Sequence, residues 1–334
     1  MGNSLDKTQR ILEEVNRTLF ELVKAENLAS RDPILEEMIL DALGLDQAGS
    51  AVTGGKRVRP LICCLVCGAV SGDHASALLI SAALEMFHNF TLVHDDIEDQ
   101  GEMRRGQPSL WKKWGVSLSL NAGDYLSALS YKTIHQAAAI GGIPLLTAFD
   151  AIVTRLIFGQ HRDISFESQD EVSEAAYLEM IDGKTVALIQ GSFELGAIAG
   201  KASADQAAQL RLIGEQIGLA FQMQDDYLGI WGDAQKIGKS VSTDITTKKK
   251  TLPIQYALNK DADLLAEWKA YDGNPDKVAY FSERLAAAGA DEYTRACWQR
   301  AMDDAAARLG KLPLDNEYQA ALAALIDQLM VRNK

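Results

Sequence analysis

The chain has 334 residues, of which 33 are basic and 46 acidic, so its formal net charge is −13. This acidic balance argues against nucleic acid and anionic lipid as partners, because both would be repelled at long range. Hydrophobic residues make up 47% of the chain and charged residues 24%, an ordinary globular composition that excludes wholesale disorder.

The sequence predicts a cytoplasmic protein without a transmembrane segment. The longest uninterrupted apolar run, 61–70, has ten residues, whereas a membrane-spanning helix needs roughly 18. The N-terminus is polar and does not resemble a signal peptide. Only four cysteines occur, which suits a reducing compartment.

Helical periodicity dominates the chain. Apolar residues recur at intervals of three or four from Leu5 to Leu22, as on one helix face. Further helices are predicted over 33–43, from Pro60 to Ala69 after a loop at 44–55, from a cap at Asp73 to Gly101, over 119–138, 144–160 and 174–199, from a capping box of Ser203 and Gln206 to about Gly229, and from Leu252 onward after a loop at 231–250. No run alternates long enough to predict a strand. We therefore predict an all-α protein, one domain over 1–334, in which ten or more helices surround a central bundle cavity.

Cys63, Cys64 and Cys67 include a C-x-x-C spacing that admits a metal or redox site. Their surroundings are apolar, no second cysteine pair lies nearby, and Cys297 is remote. We therefore interpret them as small apolar side chains on a buried helix.

Two acidic clusters are the most informative features of the sequence. Asp95 and Asp99 are four residues apart, so their like charges share one helix face. Asp225 and Asp226 form the second cluster. Both clusters lie near predicted C-terminal helix ends, where the helix dipole disfavours anions. Such carboxylates need compensation, either from salt bridges or from a divalent cation such as Mg²⁺.

Arg104 and Arg105 are close enough in sequence to supply the salt bridges. His88 favours the metal instead, because His88, Asp95 and Asp99 lie within about 40° of one stripe on the helix. A buried structural histidine is the alternative. Small basic groups in so acidic a chain are candidate phosphate sites. These groups are Lys56, Arg57 and Arg59; Arg104 and Arg105; Lys184; Lys239; and Lys248, Lys249 and Lys250.

These segments, in this order, resemble the trans-isoprenyl diphosphate synthases, or polyprenyl synthetases, of the short-chain geranylgeranyl and farnesyl type. The resemblance rests on Gly54–Pro60, Leu92–Asp99 with the trailing Met103–Gly106, Gly183–Thr185, Phe221–Asp226, Gly238–Lys239, Asp244 and Lys249–Leu252 with Pro253. One departure stands out: Gly229 occupies the position where many members carry the third Asp of the second motif.

The resemblance implies a homodimeric head-to-tail prenyltransferase that joins isopentenyl diphosphate to an allylic diphosphate. Three Mg²⁺ ions would hold the allylic diphosphate, two on Asp95 and Asp99 and one on Asp225. The remaining implied roles are water-mediated or outer contacts by Asp96, Asp226, Asp163 and Gln160; binding of the allylic diphosphate by Arg104, Lys184, Lys239 and Lys249; binding of isopentenyl diphosphate by Lys56, Arg59, His88 and Arg105; and oxygens presented to the allylic cation by Thr185 and Gln222.

Two alternatives remain. A class I terpene cyclase would use the same helices and acidic motifs, but it binds no second diphosphate and leaves Lys56, Arg59 and His88 without a role. A helical regulatory subunit would be expected to have lost the metal carboxylates, and both clusters are intact.

Product length depends on the residues one turn before Asp95. Phe90 followed by the small Thr91 resembles geranylgeranyl-type synthases, so a C20 product is predicted over C15. On a helix, however, Phe90 lies about 140° from Asp95, whereas Phe87 lies about 80° away. Phe87 is therefore a rival for the residue that ends the product cavity.

Overall fold

The computed structural model describes residues 2–52, 55–169, 171–232, 243–314 and 316–330. The protein is 82% helical, and the predicted all-α class is confirmed. The helices are α1 (Gly2–Ala25), α2 (Leu28–Arg31), α3 (Pro33–Leu43), α4 (Val58–Ser71), α5 (Leu78–Glu98), α6 (Leu110–Trp114), α7 (Val116–Glu167), α8 (Glu174–Ile181), α9 (Ala187–Ala199), α10 (Ala204–Trp231), α11 (Thr243–Thr246), α12 (Leu252–Lys260), α13 (Ala262–Ala270), α14 (Val278–Ala287), α15 (Ala290–Lys311) and α16 (Glu317–Met330). Within the described ranges, the only strands are β1 (Met103–Arg104) and β2 (Gln107–Pro108), a short antiparallel pair.

The chain forms two compact units. Unit 1 comprises Met1–Asp150, Gly191–Ala208 and Pro313–Ala324, and unit 2 comprises Ala151–Gln190, Gln209–Leu312 and Leu325–Lys334. Each unit is described by itself below. That the whole chain acts as a single domain stays a prediction.

In unit 1, α1 and α3 follow from local sequence signals. The buried face of α1 consists of Ile11, Val15, Leu19 and Val23, each four residues after the last. This stripe is rotated slightly from the predicted one, whose Leu12 and Leu22 lie at its partly exposed edges. The bounds of α3 match the prediction: Asp32 caps its N-terminus, Pro33 is its first residue, and Gly44 ends it with φ of 65°.

The N-terminus of α5 differs from the prediction. A 3₁₀ turn over Ala75–Ala77 precedes the helix, which begins at Leu78. Asp73 lies before this turn, so it does not cap α5, and the helix ends at Glu98 rather than at Gly101. The helical period locates the body of a helix well and its ends poorly, because the ends depend on the adjoining turns.

The three cysteines of α4 are fully buried and make no disulfide. Two glycines of α9 explain why small residues stand there. A Cβ atom on Gly196 would lie 2.5 Å from the Cys63 carbonyl oxygen, and one on Gly200 would lie 2.9 Å from that of Cys67. Burial raises the pKa of Cys64 to about 12, so its thiol stays protonated at neutral pH. These observations agree with a packing role.

The long helix α7 is broken at Gly142, whose φ of 62° and ψ of −156° are not helical and which precedes Pro144 by two residues. The helix α10 begins with the predicted capping box, since Ser203 Oγ accepts from the Gln206 N–H at 3.3 Å and Gln206 Oε1 accepts from the Ser203 N–H at 3.1 Å. The core around α12–α15 is centred on Trp268, Phe281 and Leu285.

Two helical segments of the described chain are long and apolar enough to cross a membrane, Ala75–Glu98 and Gly142–Glu167, although neither is an uninterrupted apolar run. The apolar window of the first is 61% buried and that of the second 33% buried. Core helices of soluble proteins pass the same test of length and composition, so these segments carry little weight for a membrane span.

Candidate active site

The carboxylates of α5 lie at its C-terminal end, in unit 1. Asp95 is half-buried in the last turn, and Asp99 is exposed as the C-cap, its N–H donating to the Asp95 carbonyl oxygen at 2.8 Å. The helix dipole places partial negative charge at this end. Two carboxylates therefore stand together where the local field opposes them, as predicted.

Asp96 differs from its two neighbours. Its side chain is buried and accepts two hydrogen bonds from Arg104, from Nε and Nη2, both at 2.7 Å. Burial raises the pKa of Asp96, while these hydrogen bonds and the Arg104 charge lower it in part. Arg104 Nη2 lies 3.6 Å from Asp95 Oδ2. The salt-bridge explanation therefore applies chiefly to Asp96, whose two oxygens are held by the bidentate guanidinium.

A tight hairpin presents Arg104 and Arg105. Met103 pairs with Pro108 and Arg104 with Gln107, which leaves Arg105 and Gly106 as the two turn residues. Both have positive φ, 52° and 76°. Two consecutive positive φ values match the turn that suits the twist of a two-residue hairpin, and glycine adopts them without strain. The turn explains why the two arginines are followed by glycine.

Arg59 and His88 are in direct contact, with 3.1 Å between Arg59 Nη1 and His88 Nε2. Since the guanidinium only donates, this contact requires an unprotonated Nε2 on the histidine. Burial, then the charges of Arg59, Arg105 and other arginines, holds the pKa of His88 well below its usual range. Burial likewise lowers the pKa of Arg105. The surroundings of His88 are thus electropositive, which suits a polyanionic ligand.

Arg57 supports this cluster from inside unit 1. Its side chain is buried and pairs with Glu85 of α5, with 2.6 Å between Nη1 and Oε1, and its Nε donates to Asn16 of α1. Arg57 itself has φ of 45° immediately before α4. It lies between Lys56, which is exposed, and Arg59, the second residue of the helix. The buried pair ties the basic segment to α5.

Sequence reasoning missed the role of Glu85 and Asn89. Asn89 Nδ2 donates to Glu85 Oε1 at 3.0 Å, and Arg105 Nη2 approaches Asn89 Oδ1 at 3.4 Å. These two polar residues occupy buried positions four apart on α5. Their occurrence among apolar residues at helical spacing was the signal that could have identified them.

In unit 2, a π-helical turn over Asp182–Val186 interrupts the helix predicted for 174–199. The backbone of this turn contacts α7 directly, since a Cβ atom on Gly159 would lie 2.1 Å from the backbone nitrogen of Lys184. One helical turn after Gly159, Asp163 accepts a hydrogen bond from Lys184 Nζ. The two glycines Gly159 and Gly183 therefore bring the predicted diphosphate-binding lysine to its carboxylate. Such π turns recur at functional sites.

A buried hydrogen-bond network connects Thr185 with the second acidic cluster. Thr185 Oγ1 donates to Gln222 Oε1 at 2.5 Å, and Gln222 Nε2 donates to Asp226 Oδ1 at 2.7 Å. The other Asp226 oxygen accepts from the Tyr177 hydroxyl at 2.5 Å and from the Leu252 N–H at 2.9 Å. Burial raises the pKa of Asp226 to about 7, against the lowering effect of these donors. Asp226 thus joins α8, α10 and α12.

Other predicted residues of unit 2 take separate positions. Asp225 is exposed on α10, beside the buried Asp226. Gln160 is half-buried on α7, and Lys249 is exposed, with its N–H donating to the Asp244 carbonyl oxygen. Lys239 lies outside the described residues.

Phe87 and Phe90, the two candidates for the residue that forms the floor of the product cavity, contact each other in unit 1. Phe87 is fully buried, and its ring centroid lies 5.2 Å from that of Phe90 and 5.9 Å from that of Phe149 on α7. Tyr131 completes the cluster against Phe149, at 5.3 Å. Phe90 keeps part of its surface exposed and packs edge-on against His94. The residues of α7 could not be assigned to this cluster from the spacing on α5.

The donor chemistry of both acidic clusters fits magnesium that arrives with a phosphate ligand. In the parts of the chain that the structure describes, no three His, Cys, Asp or Glu side chains are grouped so as to hold a metal ion by themselves. Mg²⁺ typically binds one or two carboxylates and completes its shell with water and substrate phosphates. Asp95 with Asp99, and Asp225, offer carboxylates of this kind.

Comparison with known proteins gives the family. The profile described as Polyprenyl synthetase matches residues 45–284. A short chain isoprenyl diphosphate synthase of Methanothermobacter thermautotrophicus is 36% identical over 84% of this chain and 87% of its own. A geranylgeranyl diphosphate synthase of Saccharolobus solfataricus is 40% identical, over 62% of this chain and 64% of its own length.

The fold agrees with the sequence comparison. The geranylgeranyl pyrophosphate synthase of Corynebacterium glutamicum, whose structure was solved with isoprenyl diphosphate and magnesium, superposes with a TM-score of 0.85 over 97% of this chain and 99% of its own, at 27% identity. An all-α fold with two acidic clusters, a cationic cluster beside the first, and these relatives defines the class as prenyltransferases. The chain belongs to the polyprenyl synthetase family.

Proposed function

We propose that this chain is a magnesium-dependent head-to-tail prenyltransferase that condenses isopentenyl diphosphate with an allylic diphosphate and releases diphosphate. The observation that carries the proposal is the electropositive cluster of Arg59, His88 and Arg105 in unit 1. His88 lies on α5, the same helix that ends at Asp95 and Asp99. It supports a binding site for a second diphosphate, in addition to the one that the metal carboxylates would serve.

The cationic cluster argues against the first alternative, and the acidic clusters argue against the second. A class I terpene cyclase uses one diphosphate and gives Arg59 and His88 no ligand. A non-catalytic subunit needs neither of the acidic clusters, and Asp95, Asp99 and Asp225 are all present.

In the proposed reaction, the C–O bond of the allylic diphosphate breaks, its electrons leave with diphosphate, and the double bond of isopentenyl diphosphate forms the new C–C bond. Magnesium, when bound, would supply the positive charge that neutralises the leaving diphosphate. Asp95, Asp99 and Asp225 would hold it, and Arg104, Lys184, Lys239 and Lys249 would bind the same diphosphate. Lys56, Arg59, His88 and Arg105 would bind isopentenyl diphosphate.

Thr185 and Gln222 would stabilise the allylic cation. The Thr185 hydroxyl donates a hydrogen bond to Gln222 Oε1, so the lone pairs of its oxygen are available to a positive charge. Asp226 fixes the Gln222 amide from its other side. The departing diphosphate would accept the final proton, so the reaction would need no side chain as a general base.

We propose a C20 product, with C15 as the second candidate. The supporting pattern is the single aromatic Phe90 followed by Thr91. The buried contact of Phe87 on α5 with Phe149 on α7 adds a bulky surface beside Phe90. A growing chain stops when its tail meets such a surface.

We also propose a cytoplasmic homodimer. The support is α7, which exposes large apolar side chains, among them Ile157 at 51% and Phe158 at 49%. Exposed apolar surface of this kind marks an interaction face, and the acidic net charge disfavours an anionic membrane as its occupant.

The function is tested by measuring diphosphate released from dimethylallyl or geranyl diphosphate, with and without isopentenyl diphosphate and with Mg²⁺ or EDTA. Release that requires both Mg²⁺ and isopentenyl diphosphate, with a longer prenyl diphosphate as product, supports the proposal. Release without isopentenyl diphosphate identifies a cyclase or hydrolase, and no release in any arm identifies a non-catalytic protein.

A further inference from the structure

Arg155 on α7 has no part in the site described above, yet both arms of its guanidinium are bound. Its Nη2 donates to both carboxylate oxygens of Asp182, each at 2.8 Å, and its Nη1 donates to Gln190 Oε1 at 2.6 Å. Gln190 is buried and is held from its other side, because its Nε2 donates to Glu215 Oε2 at 3.1 Å. A planar guanidinium bound at three points has little freedom to reorient.

The partners of Arg155 lie on either side of the π-helical turn. Asp182 is the first residue of the turn, and Gln190 comes four residues after its last, Val186. The Ala187 N–H closes the turn by donating to the Asp182 carbonyl oxygen, five residues back. A single guanidinium therefore spans the turn from its first residue to the helix that follows.

The turn packs against one stripe of α7. Three residues of α7 at intervals of four, which share one helix face, contact three consecutive residues of the turn. The pairs are Arg155 with Asp182, Gly159 with Gly183, and Asp163 with Lys184. A Cβ atom on Gly183 would lie 2.5 Å from the Arg155 carbonyl oxygen and 2.7 Å from the Gly159 Cα. The turn thus lies directly on α7, with Arg155 at one end of the contact and Lys184 at the other.

The register of this turn sets the direction of two side chains. A π turn holds one residue more than an α-helical turn, and such turns are rare. Each residue rotates the next side chain by about 100° around a helix axis, so a change in the turn redirects the residues within it. In the present register Lys184 contacts Asp163 and Thr185 contacts Gln222. Both contacts depend on the turn being kept.

We propose that Arg155 is a positioning residue, which keeps the π-helical turn in this register and so places Lys184 and Thr185 for the allylic diphosphate. Arg155 acts through the turn, because it lies about 12 Å along α7 from Asp163, the residue that Lys184 contacts. The inference rests on the proposed function, which gives Lys184 and Thr185 their ligand. The competing explanation is an ion pair that affects stability alone, since the side chains of Arg155 and Asp182 are 35% and 44% exposed.

The first measurement follows the turn itself, by hydrogen exchange of the amides of residues 182–187 in the full-length protein. Arg155→Met keeps the aliphatic stem and removes the three hydrogen bonds, so exchange there should quicken at least about tenfold, because exchange reports local opening. The matched control is Arg284→Met on α14, which removes another partly exposed arginine of unit 2, paired with Asp261 and Glu267. This control should leave exchange over 182–187 as in the parent protein.

The second measurement is steady-state kinetics with geranyl diphosphate and isopentenyl diphosphate varied in turn. Arg155→Met should lower kcat/KM for geranyl diphosphate at least about tenfold, because a small misplacement of binding groups can cost up to about a hundredfold. The apparent KM for isopentenyl diphosphate should stay near that of the parent, since its proposed ligands belong to unit 1. Arg284→Met should keep parent kinetics even where its free energy of unfolding in urea falls as far as that of Arg155→Met.

Parent-like exchange over 182–187 in Arg155→Met overturns the inference, as does an equal rise of both KM values or an equal kinetic loss in Arg284→Met. If Arg155→Met does not fold, Asp182→Asn, which keeps the shape of the side chain, decides by the same two measurements. Failure of the proposed function gives a separate result. A parent protein that does not condense the two substrates contradicts that function, while the exchange measurement still decides whether Arg155 holds the turn.

Discussion

Asp95, Asp96 and Asp99 of the first acidic cluster have different surroundings although they lie within five residues of the chain. Asp96 is buried in a bidentate pair with Arg104, whereas Asp95 is half-buried and Asp99 exposed at the end of α5. A buried pair that loses one partner leaves an uncompensated charge. A surface carboxylate among like charges can be lost without such a cost.

We therefore expect activity and stability to separate between these residues. Asp95→Ala, Asp99→Ala and Asp225→Ala should each lower turnover by at least about a hundredfold, because neutralising the leaving group carries most of the catalysis, while the free energy of unfolding stays near that of the parent. Asp96→Asn should lower the free energy of unfolding, measured in urea. Near-normal turnover in a folded Asp95→Ala variant would contradict the metal assignment.

The Arg59–His88 contact leads to a prediction about substrate preference. Replacing Arg59 by Met or His88 by Ala should raise the apparent KM for isopentenyl diphosphate and leave that for the allylic diphosphate nearly unchanged, because the cluster would bind only the former. Steady-state kinetics with each substrate varied in turn provides its own control. A change confined to the allylic substrate would mean that the two sites are assigned the wrong way round.

His88 also gives a prediction about pH. Burial and neighbouring arginines hold the pKa of the native histidine well below its usual range, so the unfolded chain binds more protons between that value and about 6.5. Stability is then complete above about pH 6.5 and falls by up to about 1.4 kcal/mol per pH unit as the pH decreases towards the native pKa.

Urea unfolding of the parent and of His88→Gln between pH 7.5 and about 5 isolates this contribution from those of the other histidines. The difference in unfolding free energy between the two proteins should change with pH, because glutamine offers an acceptor to Arg59 but does not titrate. A constant difference over this range would show that the native histidine titrates normally.

At the scale of single helices, α5 combines the proposed metal carboxylates with the two candidates for the residue that ends the product cavity. Phe87 is buried and packs edge-on against Phe149, whereas Phe90 is partly exposed beside His94. Removing either ring deepens the adjoining space without altering the carboxylates one or two turns away.

The products of Phe87→Ala and Phe90→Ala, analysed by chromatography of the dephosphorylated alcohols, distinguish the two residues. The C20 proposal expects the variant that removes the floor to make longer products. Phe87→Ala should also cost about 3–5 kcal/mol of stability, since it creates a cavity in a packed cluster. Longer products from Phe87→Ala with an unchanged pattern from Phe90→Ala would assign the floor to Phe87; a parent enzyme that makes mainly C30 or longer products would contradict the short-chain proposal.

At the scale of the whole molecule, the net charge of −13 repels the diphosphate substrates at long range. We therefore expect their binding to depend on local cations, such as Arg59, Arg105 and Lys184, and on magnesium. The apolar surface of α7 is the other feature at this scale, because exposed large side chains there are unfavourable in a monomer.

The proposed homodimer is tested with charged substitutions on α7. Ile157→Glu should convert a dimer to a monomer in analytical ultracentrifugation, because a buried charge without a partner costs several kcal/mol. Ile34→Glu on α3, whose side chain is similarly exposed at 55%, is the matched control and should leave the dimer intact. A parent protein that sediments as a monomer at all concentrations would contradict the proposal.

The sequence by itself determined the all-α class, the bounds of α3, the capping box of α10 and the packing role of the cysteines. All of these depend on signals within one or two helical turns, where periodicity and capping residues act directly. The family motifs likewise predicted the membership that the comparisons confirm. Helix ends such as that at Leu78 were predicted less well, because the preceding 3₁₀ turn shifted the start.

Only the tertiary structure decided which polar groups meet across distant segments. Arg104 makes its two short hydrogen bonds to Asp96 and lies farther from Asp95, at 3.6 Å. The buried pair of Arg57 with Glu85 joins α4 to α5, and the close backbone approach of α7 brings Asp163 to Lys184. A local pattern carries the type and spacing of side chains along one element. It does not carry the distance between elements, which depends on packing.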